Sequence, residues 1–498
     1  MKISITRADR RPKRFDTRII SLYQDQKEYD LDNKTIQILK KLKQKRLFSG
    51  KQNEITVIAA SETELGQNII FSGLGTIRHI NSLQVRRTVS ISIRKAKEFK
   101  SRIALYEPIL PSAKIPQQEM IQLTAETAQL TDYSFEKYIT SREDSTLRHL
   151  HIMFPGRRKK SYTDAFTAGS LLAEATIQAR ELVNEPANIL NPVELGKRVL
   201  TLAEKYGFTV EIFDEDQISQ LGMTAFLEVA RGSDNPPRFI VMKYRGNPAD
   251  PKQIIGFVGK GLTFDSGGYS LKQTPNMLTM KGDMGGAAAV IGAMVALAGM
   301  KLPINATAAV AACENMLSGK SYRPSDIISS RGGKTIYIAN TDAEGRLTLI
   351  DAVHYLIEKE KVTRIVDIAT LTGAAVVCLG HEATAVISNN DRFYRKLILA
   401  AEKSGEKIWR LPAFEEYNEL LKSKFADLTN SPGNPGTITA GLFIGQFVAN
   451  LPWLHLDIAG TFWAEKDKYY FSRGGTGVGT RLLYHLAASL VKSPEEQL

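Results

Sequence analysis

Three polar, glycine-rich stretches interrupt apolar runs in the second half of the 498-residue chain. Residues 259–268 read Gly-Lys-Gly-Leu-Thr-Phe-Asp-Ser-Gly-Gly, residues 280–286 read Met-Lys-Gly-Asp-Met-Gly-Gly, and residues 340–347 read Asn-Thr-Asp-Ala-Glu-Gly-Arg-Leu. Four carboxylates, Asp265, Asp283, Asp342 and Glu344, would repel one another if gathered without a cation. Divalent metals relieve that repulsion, and oxygen-rich ligation suits Mn²⁺, Mg²⁺ or Zn²⁺. Any one of these carboxylates taken alone reads more readily as a surface group or a helix cap than as a metal ligand. Lys260, by its own chemistry, reads as a salt-bridge partner of the carboxylates. The glycines around it match neither Gly-x-x-x-x-Gly-Lys-Ser/Thr nor Gly-x-Gly-x-x-Gly, so a phosphate-binding loop is a weak reading. None of the seven histidines forms a His-Glu-x-x-His motif, which argues against a zincin mechanism and leaves His354, His381 and His455 as structural residues.

The elements that must position these stretches follow from hydrophobic pattern. From residue 238 onward, strand-like runs at 239–243, 254–258, 306–311, 335–338 and 364–369 alternate with helical patterns at about 286–298 and from about 345. This alternation predicts an α/β domain with a mostly parallel central sheet, and such sheets place ligand sites at strand ends. Leu349, Ile350, Val353, Leu356 and Ile357 recur at helical spacing, so the segment after Arg346 buries one face. Upstream, Asn191 and Pro192 suit the cap and first position of a helix running to about residue 206. Before residue 150, β-type runs at 54–59, 68–71 and 85–93 alternate with helix-compatible stretches, which predicts a small amino-terminal α/β domain. The basic Pro-Gly segment at 154–160 marks the boundary, giving an amino-terminal domain at 1–164 and a larger carboxy-terminal catalytic α/β domain at 165–498.

Charge divides the chain in the same way. Residues 1–170 hold 31 Lys and Arg against 18 Asp and Glu, a net of +13, while residues 171–498 hold 34 against 35, a net of −1. The basic runs at 7–18, 40–46, 94–100 and 157–160 suit either a solvated lysine-rich surface or a contact surface for nucleic acid. The longest apolar run, 287–300, is too short to span a bilayer, and no amino-terminal secretion signal is visible. The two cysteines, Cys313 and Cys378, stand in no Cys-x-x-Cys or Cys/His spacing, so there is no disulfide framework or thiolate metal site. A cytoplasmic protein with no membrane association is expected.

The unbroken octapeptide at 340–347 and the two upstream stretches resemble the leucyl aminopeptidase family. So do Asn-Glu-Pro-Ala-Asn at 184–188, Ala-Thr-Leu-Thr-Gly at 369–373 and His-Leu-Asp-Ile-Ala-Gly at 455–460. The resemblance covers about residues 165–490 and implies a metallo-aminopeptidase that releases Leu or other apolar residues from peptide amino termini. It implies that Lys260, Asp265, Asp283 and Glu344 hold one divalent ion, Mn²⁺ or Zn²⁺, and that Asp265, Asp342 and Glu344 hold a second. Lys260 would bind as the neutral amine, which requires a pKa far below its free value of about 10.4. Lys272 and Arg346 are implied as the catalytic pair, with bicarbonate at Arg346 as general base. Met280, Thr370, Gly373, Ala459 and Phe462 would line the pocket for the first side chain; Phe462 departs from the smaller or more flexible residues usual there. The resemblance also implies a homohexamer with its active sites facing an interior cavity. Two other readings stand beside the peptidase: a nucleic-acid-binding role for the basic amino-terminal domain, and a catalytically dead scaffold. Retention of all five ligand positions and both catalytic positions argues against the last.

Overall fold

The computed structural model describes residues 1–7, 10, 12, 14–63, 65–141, 146–156 and 159–491. Arg11, Lys13, Arg157 and Arg158 of the basic runs lie outside the described residues. The chain divides into two units, Met1–Glu174 with Lys466–Arg473, and Ala175–Glu465 with Gly474–Leu498.

The first unit is a six-stranded sheet built from β1 (Lys2–Arg7), β2 (Thr17–Leu22), β3 (Ile55–Ile58), β4 (Asn68–Gly73), β5 (Ile103–Tyr106) and β6 (His149–Phe154). Its order is β1-β6-β5-β2-β4-β3, parallel except for the β3–β4 pair. Helix α1 (Asn33–Gln44) buries Leu39 and Leu42 with Ile20, Leu22, Ile69 and Phe71. A second core joins Ile19, Ile70 and Tyr106 to side chains of α2 (Ser82–Glu98) and α3 (Gln117–Asp132). Residues 85–93, expected as a β-type run, lie inside α2. The correction has a physical basis: Val85, Val89 and Ile93 recur every fourth residue and are fully buried, and Asn81 with Gln84 forms a reciprocal capping box at the helix start. Helical period and cap outweigh the β preference of the branched residues.

Helix α4 (Lys160–Asn184) leads to α5 (Pro192–Tyr206), where the Asn191 side chain accepts the amide of Glu194. The second unit's main sheet contains β7 (Thr209–Phe213), β8 (Arg238–Arg245), β9 (Ile254–Asp265) and β10 (Asn305–Asn315), followed after two small strands by β13 (Arg364–Ala369), β14 (Thr384–Ser388), β15 (Ile408–Arg410) and β17 (Trp453–Asp457). The order is β15-β14-β17-β13-β9-β10-β8-β7, and its four central strands β17, β13, β9 and β10 run parallel. The small strands β11 (Ile327–Ser329) and β12 (Thr335–Tyr337) pair with β16 (Leu428–Thr429) in a separate sheet, and β18 (Trp463–Ala464) pairs with β19 (Gly474–Gly475). The run at 335–338 is therefore a strand outside the main sheet. Short helices α6 (Glu215–Gln220), α7 (Thr224–Ala230) and α8 (Thr274–Met277) precede the longer α9 (Gly285–Gly299) and α10 (Gly345–Glu358), and α11 (Gly373–Leu379) follows β13. Among the described residues, one helical stretch, Thr274–Gly299, is long and apolar enough to cross a membrane, and 94% of its apolar window is buried inside the protein.

β9 is longer than its apolar run at 254–258. It continues through the polar stretch to Asp265 because Lys260 and Asp265, although buried, both meet partners of opposite charge.

Candidate active site

Side chains alternate along a strand, so two residues five apart should face opposite ways. Lys260 and Asp265 nevertheless reach one cluster. Their strand β9 pairs with β10 in register from Ile254 to Leu262; the ladder then slips, and Phe264 and Asp265 pair with Glu314 and Asn315, leaving Thr263 as an extra residue. This one-residue bulge shifts the alternation by one step. Asn315, opposite Asp265, donates through Nδ2 to Asp265 Oδ1 at 2.8 Å and to the carbonyl of Thr341 at 3.0 Å.

The octapeptide is held by its own polar groups and by those of neighbouring loops. Asn340 Oδ1 accepts the Asp342 amide at 2.7 Å, and Thr341 Oγ1 donates to the Gly267 carbonyl at 2.6 Å while accepting the Ser270 amide at 2.8 Å. Tyr322 donates to the Thr341 carbonyl, and Asn430 donates to the Asn340 carbonyl at 2.7 Å. Gly267 has φ +88°, a left-handed conformation that turns the chain back after Asp265. Gly345 is required for a different reason: a Cβ there would lie 2.4 Å from Cε of Lys260 and 2.7 Å from its Nζ.

Lys260 Nζ lies 2.8 Å from Asp283 Oδ2 and 2.8 Å from Glu344 Oε1, and donates to the Thr370 carbonyl at 3.0 Å. Lys272 Nζ lies 2.8 Å from Asp265 Oδ2 and is also paired with Asp342 Oδ1. One carboxylate oxygen from each of Asp265, Asp342 and Glu344 falls within 4.8 Å of the others. Thr370 Oγ1 donates to Asp283 Oδ1 at 2.7 Å. The structure thus brings together Lys260, Asp265, Lys272, Asp283, Asp342, Glu344 and Thr370. Arg346 is buried in the first turn of α10 and donates through Nη1 to the Asn430 carbonyl at 2.7 Å. Of the expected pocket residues, Phe462 packs its ring against the backbone at Gly282 and Gly285, and Thr370 Cγ2 also faces Gly285. Met280 accepts the Asp283 amide, Gly373 opens α11, and the Ala459 amide donates to Asp457. Among the described residues, neither Gly373 nor Ala459 makes a hydrogen bond to the cluster carboxylates Asp265, Asp283, Asp342 and Glu344.

Electrostatics show a site short of positive charge. Burial, followed by neighbouring Asp265, pushes the Glu344 and Asp342 carboxyls above the ordinary range; burial also raises Asp283, partly opposed by Lys260. Burial works against the Lys260 ammonium, but Asp283, Glu344 and Asp265 together outweigh it and hold its pKa above the usual lysine value. Four carboxylates against two ammonium groups leave a formal excess of two negative charges. Glu344 Oε2 is buried with no hydrogen-bond partner. An orphaned oxygen inside an over-acidic cluster fits a divalent cation. Burial lowers the Arg346 guanidinium to about 10, with Glu344 and Asp457 acting in the opposite direction.

The residues that sequence reasoning missed are the supports. Asn315, Tyr322 and Asn430 carry no charge and fit no motif. Asn315 alone left a signal, as part of the polar pair Glu314-Asn315 that closes an otherwise apolar run.

A parallel-centred α/β sheet with a buried carboxylate and lysine cluster at the carboxyl end of a central strand fits the class of α/β proteins that hold a ligand or divalent metal at a strand end. Comparison with known proteins narrows this class. The description "Cytosol aminopeptidase family, catalytic domain" matches residues 177–484, and "Cytosol aminopeptidase family, N-terminal domain" matches residues 20–142. A "Probable cytosol aminopeptidase" of Clostridium perfringens is 49% identical over 459 residues, covering 91% of this chain and 92% of that protein. Another from Alkaliphilus oremlandii is 43% identical over 501 residues, covering 99% and 100%. Among solved structures, a tomato leucine aminopeptidase mutant matches with TM-score 0.86 and 32% identity, covering 98% of this chain and 96% of that one. The bottromycin maturation enzyme BotP in complex with Mn matches with TM-score 0.84 and 30% identity, covering 95% and 99%. The chain belongs to the cytosol aminopeptidase family, the leucyl aminopeptidases that its motifs resemble, and is a peptidase.

Proposed function

We propose that the chain is a metallo-aminopeptidase that removes Leu and other apolar residues from peptide amino termini at the Lys260–Glu344 cluster. The observation that carries this reading is the excess negative charge of the buried cluster together with the orphaned Glu344 Oε2. Asp265, Asp283 and Glu344 would hold one divalent ion together with Lys260, whose ammonium, stabilised by those carboxylates, would have to give up its proton as the dication enters; Asp265, Asp342 and Glu344 would hold a second, Mn²⁺ or Zn²⁺ by their chemistry. Bound there, such ions supply Lewis acidity toward the scissile carbonyl and toward water. The ammonium of Lys272 stands beside Asp265 and Asp342, where it can stabilise negative charge developing on the carbonyl oxygen. Arg346, in the amino-terminal turn of α10, offers a planar cation at a helix start that has no side-chain cap, a combination that suits a bicarbonate acting as general base. Phe462 and Thr370, with Met280, Gly373 and Ala459, would form an apolar pocket for the first side chain. Phe462, larger than is usual at its position, would narrow the range of residues accepted.

The same reading makes the protein a cytoplasmic homohexamer acting on free peptides. Leucine p-nitroanilide hydrolysis should vanish on chelation and return when Mn²⁺ or Zn²⁺ is restored, with two ions bound per chain by elemental analysis. Activity that survives in chelator, with no gain on adding metal, would sink the metallo-enzyme reading.

A further inference from the structure

The first unit brings two histidines to one point outside the carboxylate cluster. His149 and His151 are two residues apart on β6 and share a face, and the edge strand β1 sets Ser4 opposite His151 in register. Ser4 Oγ lies 3.0 Å from His149 Nε2 and 2.9 Å from His151 Nδ1. The two rings stack with centroids 3.9 Å apart and planes inclined by 25°. A hydroxyl has one proton, so it can donate to only one of these nitrogens, and the other must supply its own hydrogen. Two ring nitrogens are therefore aimed at one atom-sized spot. A borderline divalent cation there would accept both lone pairs at once.

Access and protonation state permit that exchange, although the ion would have to outweigh the positive charge of Lys2. Both rings are partly exposed, so an ion can reach them. Partial burial and the positive charge of Lys2 hold His149 below the ordinary imidazole pKa, and burial, His149 and Lys2 do the same for His151. Their lone pairs are thus available at neutral pH. We propose that His149 and His151, with Ser4 Oγ or water completing the coordination sphere, form a transition-metal site for Cu²⁺, Zn²⁺ or Ni²⁺ in the first unit. Its imidazole donors distinguish it chemically from the oxygen-rich cluster of the second unit. Where Ser4 joins the sphere, the ion ties edge strand β1 to β6 and stabilises the unit by mass action.

The test uses the full chain loaded with Mg²⁺, an oxygen-seeking ion with no electron spin resonance signal, to which Cu²⁺ is added in excess. Electron spin-echo modulation reports the remote nitrogen of a copper-bound imidazole, which the carboxylate and lysine cluster cannot provide. We expect that modulation in the wild type and its loss in the His149→Ala/His151→Ala double variant, together with a Cu²⁺-induced rise in Tm in the wild type only. Should the double variant misfold, His149→Gln keeps a polar side chain toward Ser4 and should show one bound imidazole where the wild type shows two. Absence of imidazole modulation in the wild type overturns the proposal. Undiminished modulation in a folded variant also overturns it, by assigning the signal to the remaining histidines.

Discussion

Lys260 and Lys272 look alike in sequence, yet their surroundings set them different tasks. Lys260 is almost wholly enclosed by Asp283, Glu344 and the Thr370 carbonyl, whereas Lys272 keeps some exposure beside Asp265 and Asp342. A group that meets substrate must be reachable, and Lys272 is the reachable one. Lys272→Ala should lower kcat by about 10²-fold or more if its ammonium stabilises the oxyanion, with KM changed far less. Steady-state assay of the variant checks this, and unchanged turnover would remove the role. The four carboxylates were legible in sequence as a candidate cluster because three glycine-rich stretches carry them together, whereas the roles of Lys260 and Lys272 came only with the family resemblance. Asn315, Tyr322 and Asn430 were not legible, because a neutral side chain that orients a carboxylate or a carbonyl looks like any other polar residue until its partner is known.

At the scale of elements, the bulge at Thr263 decides which residues share a face. Thr263 is buried, and its hydroxyl donates to the Cys313 carbonyl at 3.4 Å. Deleting Thr263 should abolish peptidase activity by turning Lys260 and Asp265 to opposite sides of the sheet, while Thr263→Val should stay active at a cost of about 1 kcal/mol. Activity assays on the two variants, with circular dichroism to confirm folding, check the contrast. The strand itself was only half legible: apolarity marked its first residues, but nothing local announces that a ladder will run on through buried lysine and aspartate. Residues 85–93 show the converse error, since branched side chains suggested a strand where their spacing and the Asn81 cap specify a helix.

Caps also carry pH dependence. Asp32 caps α1, accepting the Thr35 amide at 3.0 Å, and pairs with Arg18 at 2.7 Å. Partial burial opposes its ionisation, but Thr35 and Arg18 outweigh that and draw its pKa from 3.8 to about 2. The folded value lies below the unfolded one, so the contribution is fully present above pH 3.8 and is lost as pH falls through about 2. Asp32→Ala should cost about 1 kcal/mol, speeding amide exchange in α1 about fivefold near neutral pH. Hydrogen exchange measured on both proteins checks this, and the difference should shrink in acid.

For the whole molecule, the basic runs of the first unit differ in how far their charge is paired. In the run at 94–100, Arg94 pairs with Asp467, Lys95 with Glu98 and Lys97 with Asp132, whereas Lys40, Lys41, Lys45 and Arg46 of the run at 40–46 are exposed near the end of α1. We expect the intact protein to leave duplex DNA unshifted at physiological salt. A shift that falls steeply with salt and disappears in Lys40→Gln/Lys41→Gln/Lys45→Gln would reverse that expectation. The nearly neutral second unit, by contrast, can pack against copies of itself, and sedimentation should give a hexameric mass; a monomer at micromolar concentration would count against it.

The return of residues 466–473 to the first unit has a bearing on how the chain is made. Arg94 holds this segment by the Tyr469 and Phe471 carbonyls as well as by Asp467, and Arg87 lies over the Tyr469 ring. These eight residues leave the ribosome near the end of synthesis, on the order of tens of seconds after β6 at ordinary elongation rates. The unit that is translated first therefore stays incomplete until nearly all of the second has been made, and a nascent chain stalled before residue 466 carries an amino-terminal sheet with Arg87 and Arg94 still waiting for their partners.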